Sequence, residues 1–412
     1  MQVLIVTTDI DAHGGVARYT AALASVLADL IGGVNVHVQP LLGDIGTGRD
    51  WLAFRVFDPV ARRLTSAGKF WFAGRVVQLS FNKYDLVICT HLGLSPVAGL
   101  ARQLWGTPFW ITLHGSEAWS KFPVDVRWAV RQSGLLLPVS RYTADTAARA
   151  NGIVQPRMRV LYNAVPDDFA AMLAPANGGP PNVPKRKEKY ILSVGRVTRE
   201  FAYKGYDTVI KALPEVLRAI PDTRYVIVGE GDDFVRLKCL AREVGVQDHV
   251  EFAGGISDAA LAAYYKACDV FALPSRLAPL KRNGWEGEGF GRVYVEASLA
   301  GKPVLGSTGG GAAEAVLHEQ TGLLVNPESA SEVAGGLIKL LRDPLLAARM
   351  GAEGRRWAAE NFTSRALRQR LARLLTESRF LLSCDLQENA ALVYPPAKCQ
   401  DVPQATEGIS WP

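Results

Sequence analysis

Short runs that are apolar at every position recur along the chain, separated by longer stretches whose apolar residues fall at helical spacing. In the first half such runs predict strands at 3–8, 34–41, 84–91, 108–114, 134–140 and 159–165. Leu86-Val87-Ile88-Cys89 has no polar face, which suits a parallel strand covered by helices on both sides. After the first run, Val16, Tyr19, Leu23, Val26, Leu27 and Leu30 form an i, i+3, i+4, i+7 stripe and predict an amphipathic helix. The alternation stops at 175–189, a proline-, glycine- and lysine-rich stretch that reads as a linker. It resumes at Tyr190–Gly195, with further strands expected at 224–229, 250–254, 270–273, 303–306 and 322–325. Two βα-alternating halves predict an α/β chain of two Rossmann-like, doubly wound domains, residues 1–174 and 190–362. Ligands of such sheets bind beyond the carboxyl ends of the strands, so the domains are expected to face each other across one cleft. Residues 383–412 hold four prolines and no periodicity, and predict a disordered tail.

Composition narrows the class. A chain of 412 residues suits two domains better than one core, and 48% hydrophobic with 21% charged residues is ordinary for a soluble globular protein. Met1-Gln2-Val3-Leu4-Ile5-Val6 has the pattern of a buried strand and no basic n-region, so no signal peptide is expected. No uninterrupted apolar stretch reaches the length of a membrane span. The five cysteines are scattered without metal-ligand or disulfide spacing; Cys89 and Cys268 sit in apolar runs and read as small core residues. A reducing, cytoplasmic compartment is expected. The net charge of +6 fits anionic partners of several kinds, but neither a basic helix nor an aromatic-rich sheet motif for nucleic acid occurs.

Residues 49–83 depart from the alternation. Seven cations (Arg49, Arg55, Arg62, Arg63, Lys69, Arg75 and Lys83) face only Asp50 and Asp58, interleaved with Trp51, Phe54, Phe57, Phe70, Trp71 and Phe72. Basic and aromatic residues at helical spacing suit a helix lying in an anionic membrane interface, at the inner face of the plasma membrane. The alternative is a helix that packs those aromatics into the first domain.

The chemistry concentrates in Glu288-Gly289-Phe290-Gly291-Arg292-Val293-Tyr294-Val295-Glu296. Glycines ahead of a helix let a ligand approach the backbone, and the helix start offers free N–H groups to a phosphate. Were the segment helical throughout, its glutamates would stand roughly 12 Å apart at about 1.5 Å per residue. That is too wide for a glycosidase pair at about 5 to 9.5 Å, and suits carboxylates gripping two ends of one long ligand. Gly14-Gly15 opens the first helix, and the full Gly-x-Gly-x-x-Gly dinucleotide fingerprint is absent there.

This segment, with Gly301-Lys302-Pro303, Gly309-Gly310-Gly311-Ala312-Ala313-Glu314 and Thr321-Gly322-Leu323-Leu324-Val325, resembles the Glu-x7-Glu region of the family-4 retaining glycosyltransferases. Gly195-Arg196, Lys204-Gly205 and Val228-Gly229-Glu230-Gly231 match further landmarks of that family, and Gly14-Gly15-Val16 with His114-Gly115-Ser116-Glu117 match more loosely. The resemblance implies the glycosyltransferase-B fold, with a helix at 363–382 crossing back to the first domain. It also implies that Arg196 and Lys204 hold the diphosphate of a nucleoside-diphosphate sugar, a task suited to a guanidinium fork and an ammonium point charge. By the same resemblance Glu288 binds hydroxyls of the transferred sugar, Glu296 binds the ribose, and His114 lies near the anomeric carbon. The donor-binding set adds Gly14, Gly15, the backbone of Phe290, Gly291 and Arg292, and Val293. No metal and no cofactor beyond the donor substrate is implied.

The expected activity is retaining hexosyl transfer to a saccharide or lipid-linked saccharide in surface-polysaccharide, lipopolysaccharide or glycolipid synthesis. General resemblance leans to mannose from GDP-mannose, with UDP-glucose, UDP-galactose and UDP-N-acetylglucosamine as alternatives. A nucleotide-sugar epimerase, a phosphorylase or a non-catalytic scaffold could share the architecture; retention of Arg196, Lys204, Glu288 and Glu296 argues against the scaffold. Asn163 and Glu314 are assigned to cleft shape, and the polar stretch Arg276, Lys281, Arg282, Asn283 and Trp285 to a solvated loop or to substrate choice.

Overall fold

A computed structural model describes residues 1–10, 14–43, 53–81, 83–153, 157–174, 188–279 and 284–378. The expected tail at 383–412, almost all of the expected linker, Arg49, Asp50, Trp51, Lys281, Arg282 and Asn283 lie outside the described residues. The first sheet comprises β1 (Val3–Thr7), β2 (Val36–Pro40), β3 (Arg55–Val56), β4 (Leu86–Cys89), β5 (Phe109–Leu113) and β6 (Leu135–Pro138). All pair in parallel, in the order β3-β2-β1-β4-β5-β6, with Val3 of β1 opposite Val36 and Leu86.

The second sheet comprises β7 (Lys189–Val194), β8 (Thr223–Val228), β9 (Val250–Gly254) and β10 (Val270–Ala272). A two-residue hairpin, β11 (Ala278–Pro279) against β12 (Trp285–Glu286), is followed by β13 (Val304–Ser307) and β14 (Gly322–Val325). The parallel order is β14-β13-β10-β7-β8-β9. Connections reverse direction between β1 and β4 in one sheet and between β7 and β10 in the other. These are the switch points at which loops splay and ligands bind.

The all-apolar strands are buried end to end, because helices cover both faces of each sheet. Tyr19, Leu23, Val26 and Leu27 of the helix Gly15–Ile31 are buried against one face of the first sheet. On the other face Phe72, Val76, Ala98, Val126 and Ala129 pack a second core beneath the helices Ser66–Ser80, Ser95–Trp105 and Val124–Gln132.

Two expectations need correction. Residues 159–165 form no strand: Arg159 and Leu161 donate to the carbonyls of Leu136 and Pro138 at 3.0 and 2.9 Å, but Pro138 has no N–H to return a bond. Segment 49–83 is not one helix. β3 and a loop precede the helix Ser66–Ser80, whose N-cap Thr65 accepts from the Gly68 N–H at 3.0 Å. Its aromatics divide: Phe54 and Phe72 are buried, whereas Phe70 and Trp71 are 78% and 70% exposed.

The chain crosses between lobes twice. The helix Asp167–Leu173 packs against the helices Asp258–Ala267 and Arg292–Leu299 of the second lobe. The last described helix, Ser364–Glu377, packs back on Gly15–Ile31, with Arg368 Nη2 donating to the Asp29 carbonyl at 3.4 Å. Between the two crossings the Val165 N–H donates to Phe362 O at 2.8 Å.

Candidate functional site

The loops at the carboxyl ends of the two switch-point strand pairs converge. Beyond β1, Gly14 caps and Gly15 begins the first helix. A Cβ at either position would meet no atom within 4 Å, so packing by the described residues does not demand glycine there and the space is open to a ligand. One turn on, Tyr19 meets the His114 ring edge-on at 4.9 Å.

His114 follows β5 directly and is half-buried. Its Nε2–H donates to Thr90 O at 2.7 Å, and its own N–H donates to Glu117 Oε1 at 2.5 Å. A carbonyl only accepts, so Nε2 carries the proton and Nδ1 remains an acceptor. Burial lowers the imidazole pKa, partly countered by Glu117, which favours the neutral ring.

Across the cleft, Gly289 lies against His114 so closely that a Cβ would stand 1.9 Å from the His114 carbonyl oxygen. Two backbones from different lobes therefore touch at this glycine. Glu288 beside it accepts from Lys204 Nζ at 2.8 Å, an ion pair only 11% and 15% exposed. Lys204 ends the turn Arg199–Lys204 and runs past Gly195, where a Cβ would lie 3.3 Å from its Cδ. Arg196 stacks its guanidinium 3.9 Å over the Phe201 ring and has no carboxylate partner among the described residues. Tyr203 stands within the fields of Glu288 and Arg196; burial first, then the Glu288 charge, raises its pKa.

The segment from Glu288 to Glu296 is not helical throughout. The helix is Arg292–Leu299, and Gly291 takes φ 84° as its N-cap, a left-handed conformation that glycine adopts without strain. The roughly 12 Å spacing, which assumed a helix throughout, therefore does not apply. In exchange the N–H groups of Phe290 and Gly291 have no acceptor among the described residues, and those of Arg292 and Val293 are first-turn groups without intrahelical partners. The Phe290 ring is buried between Tyr162 and Phe362 at 5.4 and 5.1 Å, so only its backbone can serve a ligand.

Glu296 is 2% exposed and accepts from Tyr265 O–H at 2.8 Å. Arg292 Nε lies 2.9 Å from the other carboxylate oxygen, Oε1, but off the donor direction. The contact is ionic, and Oε1 keeps an unfilled acceptor. A buried carboxylate oxygen without a hydrogen bond is costly unless a ligand completes it.

The expected site residues thus lie on these loops or on the helices that open directly after them. Arg276, read from sequence as part of a solvated loop or of substrate choice, and Glu314, assigned to cleft shape, sit there as well. Arg276 forms a forked pair with Asp207 at 2.7 and 3.1 Å and donates to Ala202 O at 2.8 Å, so it tethers the Lys204 turn. Glu314 spans the lobes, accepting from the N–H groups of Arg141 and Tyr142 at 2.9 and 2.8 Å and from Tyr162 O–H at 3.0 Å. Arg18 pairs with Asp258 across the same boundary at 2.8 Å. The i, i+4 spacing of Arg292 and Glu296 and the i, i+3 spacing of His114 and Glu117 were signals available in the sequence. The Tyr265, Asp207 and Tyr162 contacts carried none, because each joins distant segments.

Comparison with known proteins bears on the same loops. The model of the family "Glycosyl transferases group 1" matches residues 180–357, and that of "Glycosyltransferase Family 4" matches residues 13–169. A GDP-mannose-dependent alpha-(1-6)-phosphatidylinositol monomannoside mannosyltransferase of Mycolicibacterium smegmatis is 36% identical over 295 residues, 69% of this chain and 74% of that protein. The GDP-mannose-dependent monoacylated alpha-(1-6)-phosphatidylinositol monomannoside mannosyltransferase of Corynebacterium glutamicum is 31% identical over 68% and 73%. Among solved structures, Anabaena HepE in complex with UDP and glucose superposes with a TM-score of 0.74 at 24% identity, covering 91% of this chain and 99% of that one. WaaG, a glycosyltransferase involved in lipopolysaccharide biosynthesis, superposes with a TM-score of 0.66 at 19% identity over 91% and 99%. The fold is that of the glycosyltransferase-B enzymes, and the chain belongs to the group 1, family 4 glycosyltransferases.

Proposed function

We propose that this glycosyltransferase moves mannose from GDP-mannose to a hydroxyl of a saccharide or glycolipid acceptor, with retention at the anomeric carbon and without a metal ion. The mannose donor is supported by the relatives at 31–36% identity, which are named for GDP-mannose. One observation carries the donor site: among the described residues, a buried carboxylate oxygen of Glu296 has no hydrogen bond, one turn inside a helix start whose leading N–H groups have no acceptor. A ribose hydroxyl would complete that acceptor, and the N–H groups suit the sugar or diphosphate.

The departing diphosphate would be neutralised by Arg196 and Lys204, the latter exchanging its Glu288 partner for phosphate and freeing Glu288 for the sugar hydroxyls. No described residue is set as a covalent nucleophile in this scheme. The leaving diphosphate oxygen takes the acceptor proton while the glycosidic bond breaks on the same face. Rate acceleration then comes from positioning and from fixed cationic charge in a partly dry cleft. Neutral His114 contributes a hydrogen-bond acceptor near the sugar and no proton.

Thermal stabilisation tests this, since a ligand raises the midpoint with the logarithm of its concentration over Kd. GDP is expected to stabilise the protein in EDTA more than UDP or ADP, and Arg196→Ala and Glu296→Gln to lose most of that shift. Mannosyl transfer from GDP-mannose should persist in EDTA. A shift with UDP alone would overturn the donor assignment, and none with any nucleoside diphosphate would overturn the activity.

A further inference from the structure

Between β10 and Glu288 the chain makes a detour. It leaves β10, runs out along β11 and returns along β12 to Gly287 and Glu288. Arg276 stands at the root of that hairpin and is fastened on two sides.

On one side it holds the turn Arg199–Lys204. Its own N–H donates to Tyr203 O at 2.6 Å, and its Nη2 donates to Ala202 O at 2.8 Å. Nη2 and Nη1 also fork onto the Asp207 carboxylate at 2.7 and 3.1 Å, at the start of the helix Tyr206–Ala219 that follows the turn. The two side chains are only 19% and 10% exposed, so salt screens the pair weakly. Gly205, between these anchors, has φ 80°, and a Cβ there would stand 2.1 Å from Pro274 O. The turn therefore lies directly against the backbone that leads into Arg276.

On the other side Arg276 backs onto the approach to Glu288. A Cβ at Gly287 would stand 2.7 Å from Leu277 Cδ2 and 3.1 Å from Arg276 O. The ammonium of Lys204 and the carboxylate of Glu288, which meet at 2.8 Å, are thus carried by two segments that share one support. Lys204 Nζ also lies 5.7 Å from the centroid of the Tyr203 ring, and Tyr203 is the residue whose carbonyl Arg276 holds. A lysine is a point charge on a flexible stem and brings little geometry of its own. Once a diphosphate draws it from Glu288, its place is set by the turn that carries it.

We infer that Arg276 is a positioning residue for sugar transfer, holding the Lys204 turn and Glu288 in register so that the lysine passes from Glu288 to the leaving diphosphate by rotation of its side chain alone. This role rests on the proposed donor site, since the diphosphate is what Lys204 turns to. Arg276 touches neither substrate in this scheme and acts through Lys204. The fork explains the residue type: a lysine here would offer one nitrogen where the guanidinium uses two.

Steady-state kinetics on a double-mutant cycle test the role. Arg276→Lys is expected to lower kcat for mannosyl transfer about 30-fold, the scale of one charge-assisted hydrogen bond lost. KM for GDP-mannose should change less than about threefold, because the loss falls on the transition state. Asp207→Asn breaks the same fork from its other end and should do likewise. In a Lys204→Ala background, Arg276→Lys should cost less than about a further twofold, its target being gone. An undiminished loss in that background would mean that Arg276 acts on the fold at large, and would overturn the inference. So would loss of the GDP stabilisation in Arg276→Lys, which would place the arginine in binding and not in positioning. A wild-type protein that transfers mannose, beside Arg276→Lys and Asp207→Asn variants of equal kcat, sinks this inference alone. A wild-type protein that neither transfers mannose nor binds a nucleoside diphosphate sinks the donor reading, and this role with it.

Discussion

His114 illustrates how a single side chain is set by what surrounds it. Its Nε2–H is committed to Thr90 O, and burial favours the uncharged ring. A histidine whose folded pKa lies below its unfolded value binds a proton more readily when unfolded. Its contribution to stability is therefore present above about pH 6.5 and is lost as pH falls towards the depressed folded value. The melting midpoint is expected to drop between pH 7 and 5, and His114→Gln to flatten that drop; an unchanged pH profile in the variant would refute the assignment. At this scale the sequence was informative about residue type and poor about partners. Glu296 stood out by its spacing from Glu288, but the Tyr265 hydroxyl that orients it comes from another helix, and nothing local announces such a contact.

Among the elements, strands buried on both faces were legible because their apolar runs have no polar face to confuse the period, as in β4 and β5. Segment 159–165 is also mostly apolar, although it carries Arg159 and Asn163, and it fails as a strand for want of one N–H on Pro138, a property of its neighbour. The turn at 288–291 was likewise hidden: Gly291 reads as permissive, but that it stops the helix short of Glu288 depends on the lobe opposite. The close approach at Gly289 makes a sharp test. An added methyl would meet the His114 carbonyl at 1.9 Å, backbone against backbone, with nothing flexible to yield. Gly289→Ala is expected to leave each lobe folded but hold the two apart, lowering kcat about 100-fold, the scale of an ångström of misplacement. Wild-type turnover in that variant would show that the contact is dispensable.

At the scale of the whole molecule, Glu314 makes three of the polar contacts by which the described residues of the two lobes meet. It was assigned to cleft shape from sequence; in the fold its carboxylate caps the first turn of the helix Arg141–Asn151 in the other lobe. Removing it should favour an open arrangement. Glu314→Ala is expected to raise the radius of gyration of the nucleotide-free protein in small-angle scattering and to raise KM for the donor about tenfold, the cost of charged hydrogen bonds. A compact variant with unaltered KM would assign closure to other contacts, Arg18 with Asp258 first among them.

The double crossing of the chain has a consequence for synthesis. The first lobe leaves the ribosome early, but the helix that covers its Gly15–Ile31 flank is Ser364–Glu377, which emerges after the whole second lobe. Leu367, Leu371 and Leu375 are buried once it docks, so until then the nascent first lobe carries an uncovered apolar strip. Cutting the chain at the linker would not yield two self-sufficient halves; each would lack a helix that the other encodes.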